Sequence, residues 1–208
     1  VSYQGYDYAT VLIGEQCWFA ENLRSESYEN GDAIPSNLSD SEWGNTSSGA
    51  VAVYGEGSST CTNYSPDGDA CDEAWSLNEY GLLYNWYAVD DARGLCPSGW
   101  HVPTDGEWTV VTDHLDGASV AGGQMKTTYG WYTGGNGTNS SGFSGLPGGY
   151  RSNSGNFLNA GDDGVWWSSS PVGSFAWLRG LDYDDENVYR NGYNQHFGFS
   201  VRCIQDSE

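Results

Sequence analysis

Apolar and polar positions alternate in short runs along most of this chain, and a helical period holds in only two places. Thr10-Val11-Leu12-Ile13 and Cys17-Trp18-Phe19-Ala20 flank Gly14-Glu15 and predict a hairpin near the N terminus. Residues 25–75 are polar and rich in Gly and Ser, with Val51-Ala52-Val53-Tyr54 as their strand candidate; so long a loop is unusual unless functional or stapled. Tyr80, Leu83, Tyr84 and Tyr87 recur at i, i+3, i+4 and i+7 and predict a helix over 78–89. A second helix is expected over 104–115, where Thr104 and Glu107 make a capping box, Trp108, Val111 and Leu115 share a face and Gly117 follows as a stop. Between them, Gly94 to Pro103 reads as a turn and a short strand. From 117 onward no helix is expected, only short apolar pieces between Gly, Ser and Asn clusters.

The last third stands apart. Val165-Trp166-Trp167 and Phe197 to Cys203 have the character of core, and the run between them is full of Tyr, Asn, Asp, Ser and Gly. Tyr gives rigid amphipathic contact area and Ser, Gly and Asn give adaptable hydrogen bonds, the composition of a paratope.

Charge narrows the function classes. The 208 residues carry a net charge of −21, with Lys126 as the one lysine, so phosphate-rich partners are repelled and nucleic acid and anionic membranes are excluded. Solubility in salty or extracellular water is the plain reading of that charge. No stretch approaches the roughly 18 apolar residues of a membrane span, and no signal-peptide pattern is visible. Aromatics at 15% rule against a disordered chain. Of the five cysteines, Cys61 and Cys71 flank a polar loop suited to a local disulfide. Cys96 and Cys203 would close a loop of roughly 100 residues, worth about 4.7 kcal/mol in the chain-entropy account. Cys17, in an apolar setting, is expected as a buried thiol. Disulfides imply an oxidising compartment, outside the cell or at its surface.

Candidate chemistry is thin. Asp67 and Asp69, Asp90 and Asp91, Asp162 and Asp163, and Asp182 with Asp184 and Asp185 offer hard oxygens for a structural Ca²⁺, but no EF-hand pattern is present and no cofactor is required. His101, His114 and His196 have no metal-ligand spacing, so no catalytic residue is assigned and no enzyme is expected. Five Asn-x-Ser/Thr sequons, beginning at Asn37, Asn45, Asn63, Asn136 and Asn139, are ascribed mostly to chance in so Asn- and Ser-rich a chain.

Several phrases are more specific. Ile13-Gly14, Trp18 to Leu23, Tyr80 to Trp86, Gly94 to Thr104 with Glu107-Trp108, Gly142 to Arg151, Trp166 to Ser170 and Gly198 to Cys203 follow one another in order. Together they resemble the Fibrobacter succinogenes major paralogous domain across nearly the whole chain. The resemblance implies an α+β, C-type-lectin-like domain related to the formylglycine-generating type. It would have two helices, a small twisted antiparallel sheet in which the termini meet, and long irregular loops. One domain is expected over 1–208, with a loop insertion at about 25–75. The chain is also similar to variable proteins of diversity-generating retroelements, which implies a ligand-facing variable segment at about 166–199.

Within 171–196 the candidate ligand-binding residues are Trp177, Arg179, Asp182, Tyr183, Asp184, Asp185, Asn187, Tyr189, Asn191, Tyr193 and Asn194, joined by Trp131, Tyr132 and Tyr150. Exposed Tyr, Trp and Arg are typical anchors. Alternation leaves the facing of Trp177, Arg179 and Leu181 open, and an ordinary solvated hairpin is the plain alternative. The function expected is a noncovalent, receptor- or adhesin-like module for a protein or glycan ligand on another cell or surface. The alternatives are a structural, pilin-like head and an oxidase of the formylglycine-generating type. The latter needs closely paired reactive cysteines near the C terminus, where Cys203 stands alone.

Overall fold

In the computed structural model the described residues are 1–57 and 60–207; Ser58 and Ser59, inside the expected insertion, and Glu208 lie outside them. The chain opens with a ribbon, β1 (Ser2–Tyr3) and β2 (Tyr6–Asp7), then the expected hairpin, β3 (Thr10–Ile13) and β4 (Gln16–Phe19). The 25–75 region holds α1 (Asp40–Asn45), β5 (Val51–Val53), β6 (Cys61–Asn63) and the start of α2 (Glu73–Tyr80). Next come β7 (Leu82–Asn85), α3 (Trp86–Val89), β8 (Trp100–His101), α4 (Asp105–His114) and α5 (Ala121–Met125). The C-terminal part is strand after strand: β9 (Gly148–Arg151), β10 (Phe157–Ala160), β11 (Asp163–Val172), β12 (Phe175–Asp182), β13 (Tyr189–Asn194), β14 (Gly198–Phe199) and β15 (Ile204–Gln205).

The architecture is mixed α+β and mostly sheet. A nine-stranded sheet runs β13-β12-β11-β9-β14-β7-β5, with β10 and β6 attached beside β9. It is neither small nor wholly antiparallel, since β11 meets β9 and β10 meets β6 in parallel. The termini do meet, in a second sheet ordered β3-β4-β15-β8.

Other sequence expectations need correction. The helix over 78–89 is broken: α2 stops at Gly81, which takes φ 75°, and Leu82–Asn85 runs as a strand between β5 and β14. All four of its residues are buried, so their spacing imitates a helical stripe while reflecting a strand covered on both faces. The described residues contain five α-helices rather than two, and α5 lies beyond residue 117. Cys17, opposite Leu12 in the β3–β4 hairpin, is half-buried rather than buried, and free because the other four cysteines pair with one another.

The 104–115 expectation holds. The Glu107 carboxylate accepts from the Thr104 N–H at 2.7 Å while the Thr104 hydroxyl accepts from the Glu107 N–H at 3.2 Å, a cap worth about 1 kcal/mol. Glu107 also meets His101 Nε2 at 2.9 Å, and His101 Nδ1 lies 2.6 Å from Asp206, tying the C-terminal strand to the start of α4.

Trp166 and Trp167 show how β11 divides the interior. Successive strand residues face opposite ways. Trp166 enters a cluster with Trp18, Trp108 and Phe143; Trp167 enters the other, with its ring 4.4 Å from Phe199. Arg202 is buried between elements and donates to Asn22 Oδ1 and to the carbonyls of Phe19, Phe143 and Ser144, so its charge is fully bonded. A third cluster, around Trp43, Tyr54 and Phe157, makes the 25–75 region a packed layer rather than a free loop. Both expected disulfides form, Cys61–Cys71 within that layer and Cys96–Cys203 across 107 residues.

Candidate functional site

Strands β12 and β13 pair antiparallel, with Ala176 opposite Tyr193, Leu178 opposite Asn191, Arg179 opposite Arg190 and Gly180 opposite Tyr189. Register therefore sorts the candidate residues onto two faces.

One face is docked. Arg179 and Arg190 stand directly opposite, an arrangement that is repulsive unless something lies between them. Asp105, the first residue of α4, does so. Its Oδ1 accepts from Arg179 Nη1 at 2.8 Å and from Arg190 Nε at 2.8 Å, and its Oδ2 from Arg190 Nη2 at 2.8 Å. Arg190, then Arg179, hold the Asp105 carboxyl below the usual carboxylate range against the opposing effect of burial. The Arg190 guanidinium stacks 3.5 Å from the Trp177 ring centre. Arg179 is 2% exposed and fully occupied, so its place in the ligand-binding set is corrected: it fastens the hairpin to α4. Trp177, half-buried under Arg190, belongs to the same face. Trp131 is likewise corrected, being 1% exposed and packed against Lys126 and the Trp166 cluster.

The other face is open. Tyr189 and Tyr193 are 41% and 42% exposed, and Asn191 lies between them. They wall a cleft of about 320 Å³ whose floor includes Val165, Leu178, Gly180 and Phe199. The register gives the cleft two unlike ends. At one, Tyr193 packs edge-on to Phe197 at 4.9 Å and to Phe199 at 5.8 Å, with Tyr150 5.9 Å from Phe197. At the other, Asp163 of β11 stands directly opposite Asp182 of β12. Asn159 Nδ2 donates to Asp163 Oδ2 at 2.8 Å. Burial pushes the Asp163 carboxyl up to about 6; the Asn159 bond opposes this, and the Asp182 charge adds to it. Burial and then neighbouring acids raise Asp182 as well.

The turn between the strands is pre-built. Lys126, 3% exposed, donates from Nζ to the carbonyls of Asp182 at 2.9 Å and Asp185 at 2.8 Å. Gly122 and Gly135 pack so close that a Cβ would lie 2.6 Å from the Glu186 carbonyl oxygen and 2.1 Å from that of Tyr183. Asp185 accepts from the Asn187 N–H at 2.8 Å and from the Tyr189 hydroxyl, and Asn194 Oδ1 accepts from the His196 N–H at 2.9 Å. Asp184 is exposed at the tip. Tyr183 meets Tyr132 at 5.5 Å, and Tyr132 meets Tyr64 at 5.8 Å, an aromatic ridge beside the turn.

The structure thus brings Asp182, Tyr189, Asn191 and Tyr193 into one cleft with Tyr150, and sets Tyr183, Asp184, Asp185, Asn187 and Tyr132 along the adjoining turn. Asn159, Phe197 and Tyr64 were missed by sequence reasoning, and Asp163 was singled out only as a calcium ligand. Among the described residues, no three His, Cys, Asp or Glu side chains converge as a metal-holding group. Among them too, no helix is long and apolar enough to cross a membrane.

No curated protein and no solved structure matches this chain. Residues 11–205 match the model of the Fibrobacter succinogenes major domain, and the chain belongs to that family.

Proposed function

We propose that this protein is a noncovalent ligand-binding module, receptor- or adhesin-like, on a C-type-lectin-like scaffold, acting outside the cell or at its surface. The observation that carries the reading is the open face of β13. Two large exposed tyrosines and an asparagine line a preformed cleft while the opposite face does the fastening. Exposed Tyr anchors around a concave apolar floor with a few convergent polar groups are the features of a binding site. The two disulfides agree with an oxidising location. A face whose side chains carry little of the fastening suits retroelement diversification, and an adjacent reverse transcriptase with a near-copy of the 3′ end of the gene would support that sharper form.

The test is binding on protein and glycan arrays by the wild-type chain and by Tyr189→Ala/Asn191→Ala, with thermal melting as the folding control. Ligands held by the wild type and lost by a folded variant support the reading. Ligands held equally by both overturn it.

A further inference from the structure

We infer that the cleft receives the basic side chain of a partner protein, a lysine or arginine whose stem lies on Val165, Leu178 and Phe199 and whose charged head sits between Asp163 and Asp182. This rests on the cleft being the binding site and names what it binds.

Charge supply is the first argument. Opposed residues on antiparallel strands have Cβ atoms about 4.5–5.5 Å apart, and like charges there repel. Asp163 and Asp182 are such a pair. The chain has seven basic side chains, and each already has partners of its own. Arg24 donates to the carbonyls of Leu77 and Asn78, and Arg93 pairs with Asp91 and Asp32. Lys126 caps turn carbonyls, Arg151 binds the Gly155 and Leu38 carbonyls, Arg179 and Arg190 share Asp105, and Arg202 is locked in the core. Among the described residues, none forms an ion pair with Asp163 or Asp182. Asp162, next along the chain and within the field of Asp182, keeps a buried carboxylate oxygen with no hydrogen-bond partner among the described residues. Lys126 is the nearest cation: its ammonium is held on the Asp182 and Asp185 carbonyls and feels the Asp182 charge, but it does not line the cleft and pairs with neither carboxylate, so among the described residues no cation sits between Asp163 and Asp182.

Shape and surroundings give the second argument. At about 320 Å³ the cleft lies at the small end of ligand pockets, which span roughly 300–1,000 Å³, and suits one side chain rather than a large ligand. Lys and Arg bury an apolar stem while directing the charge to a polar end, which matches an apolar floor leading to carboxylates. Tyr189 and Tyr150 add ring faces that attract cations. The net charge of −21 steers basic partners inward over a distance.

The experiment titrates N-acetylated hexalysine and hexaarginine into the wild type and into Asp163→Asn/Asp182→Asn. A charge-matched control, Glu73→Gln/Asp113→Asn, changes exposed residues on α2 and α4. The expected result is saturable one-to-one binding that weakens about tenfold or more in the cleft pair and less than about twofold in the control. Binding also weakens between about pH 7.5 and about pH 5, as Asp163 takes up its proton near pH 6. Equal losses in both variant pairs would reduce the effect to long-range charge and overturn the inference, as would no saturable binding. An array ligand without basic groups, lost by Tyr189→Ala/Asn191→Ala but held by Asp163→Asn/Asp182→Asn, would leave the cleft standing as the binding site and remove its preference for cations.

Discussion

On one face of the β12–β13 hairpin, Trp177, Arg179 and Arg190 close on Asp105; on the other, Tyr189, Asn191 and Tyr193 stand around a cleft. Both faces are polar and aromatic. What separates them is satisfaction. Every charge on the docked face has its partner, and a buried cation requires one. On the open face two carboxylates oppose each other with no ion-pair partner among the described residues, and an amide and two large rings are left partly in water. The composition of this hairpin is thus a poor guide to its role, and the hydrogen-bond partners are a good one.

The largest effect comes from breaking the docked face. Asp105→Ala leaves Arg179 buried without its carboxylate and leaves two arginines opposite each other. Removing one partner of a buried pair costs about 3–5 kcal/mol, and the low end, about 3 kcal/mol, is expected because Asp105 is partly exposed. Urea unfolding measures it. A loss below about 1 kcal/mol would mean that the docked face does not fasten the hairpin.

The next effect has the opposite sign. A carboxyl whose folded pKa lies above its unfolded value adds stability below the unfolded value, and that stability is lost as pH rises through the folded one. For Asp163 that upper limit is about 6, so at neutral pH its charge works against the fold. Asp163→Asn should raise stability at about pH 7.5 by about 1–2 kcal/mol, allowing for solvent screening, and the gain should fade as the pH falls from about 6 to about 4. A stabilising substitution inside a cleft is the mark of a group kept for function. A destabilised Asn variant at neutral pH would instead make Asp163 part of the scaffold.

This contrast explains what could be seen in the sequence. The capping box at Thr104 and Glu107, the hairpin over 10–19, the core role of Trp166 and Trp167 and the disulfide pairs were legible, because each depends on local chemistry or on ordered family phrases. The strand at Leu82–Asn85 was not, because four buried residues in a row satisfy a helical period as readily as a central strand. Nor was the sorting of Arg179 from Asn191, which depends on the β12–β13 register and on α4 arriving from about 75 residues away. Trp131 misled for the same reason: its neighbours Gly130 and Tyr132 look like a surface turn, while Lys126 and Trp166 take its ring inside. The facing of Asp163 and Asp182 is likewise a matter of register, invisible until β11 and β12 are aligned.

The smallest effects grade the open face itself. Tyr193 touches Phe197 and Phe199 edge-on, so Tyr193→Ala should cost about 1 kcal/mol, the worth of aromatic pairs beyond simple burial. Asn191 lies between the two tyrosines, exposed and across from Leu178, and its amide makes no hydrogen bond among the described residues. Its backbone holds the β12–β13 pairing whatever the side chain, so Asn191→Ala should shift stability by less than about 0.5 kcal/mol. Thermal melting of the two single variants beside the wild type checks both. Should Asn191→Ala prove as costly as Asp105→Ala, the open face would be carrying the fold after all. If it melts with the wild type while array binding falls, the side chain is present for something other than this molecule's own stability.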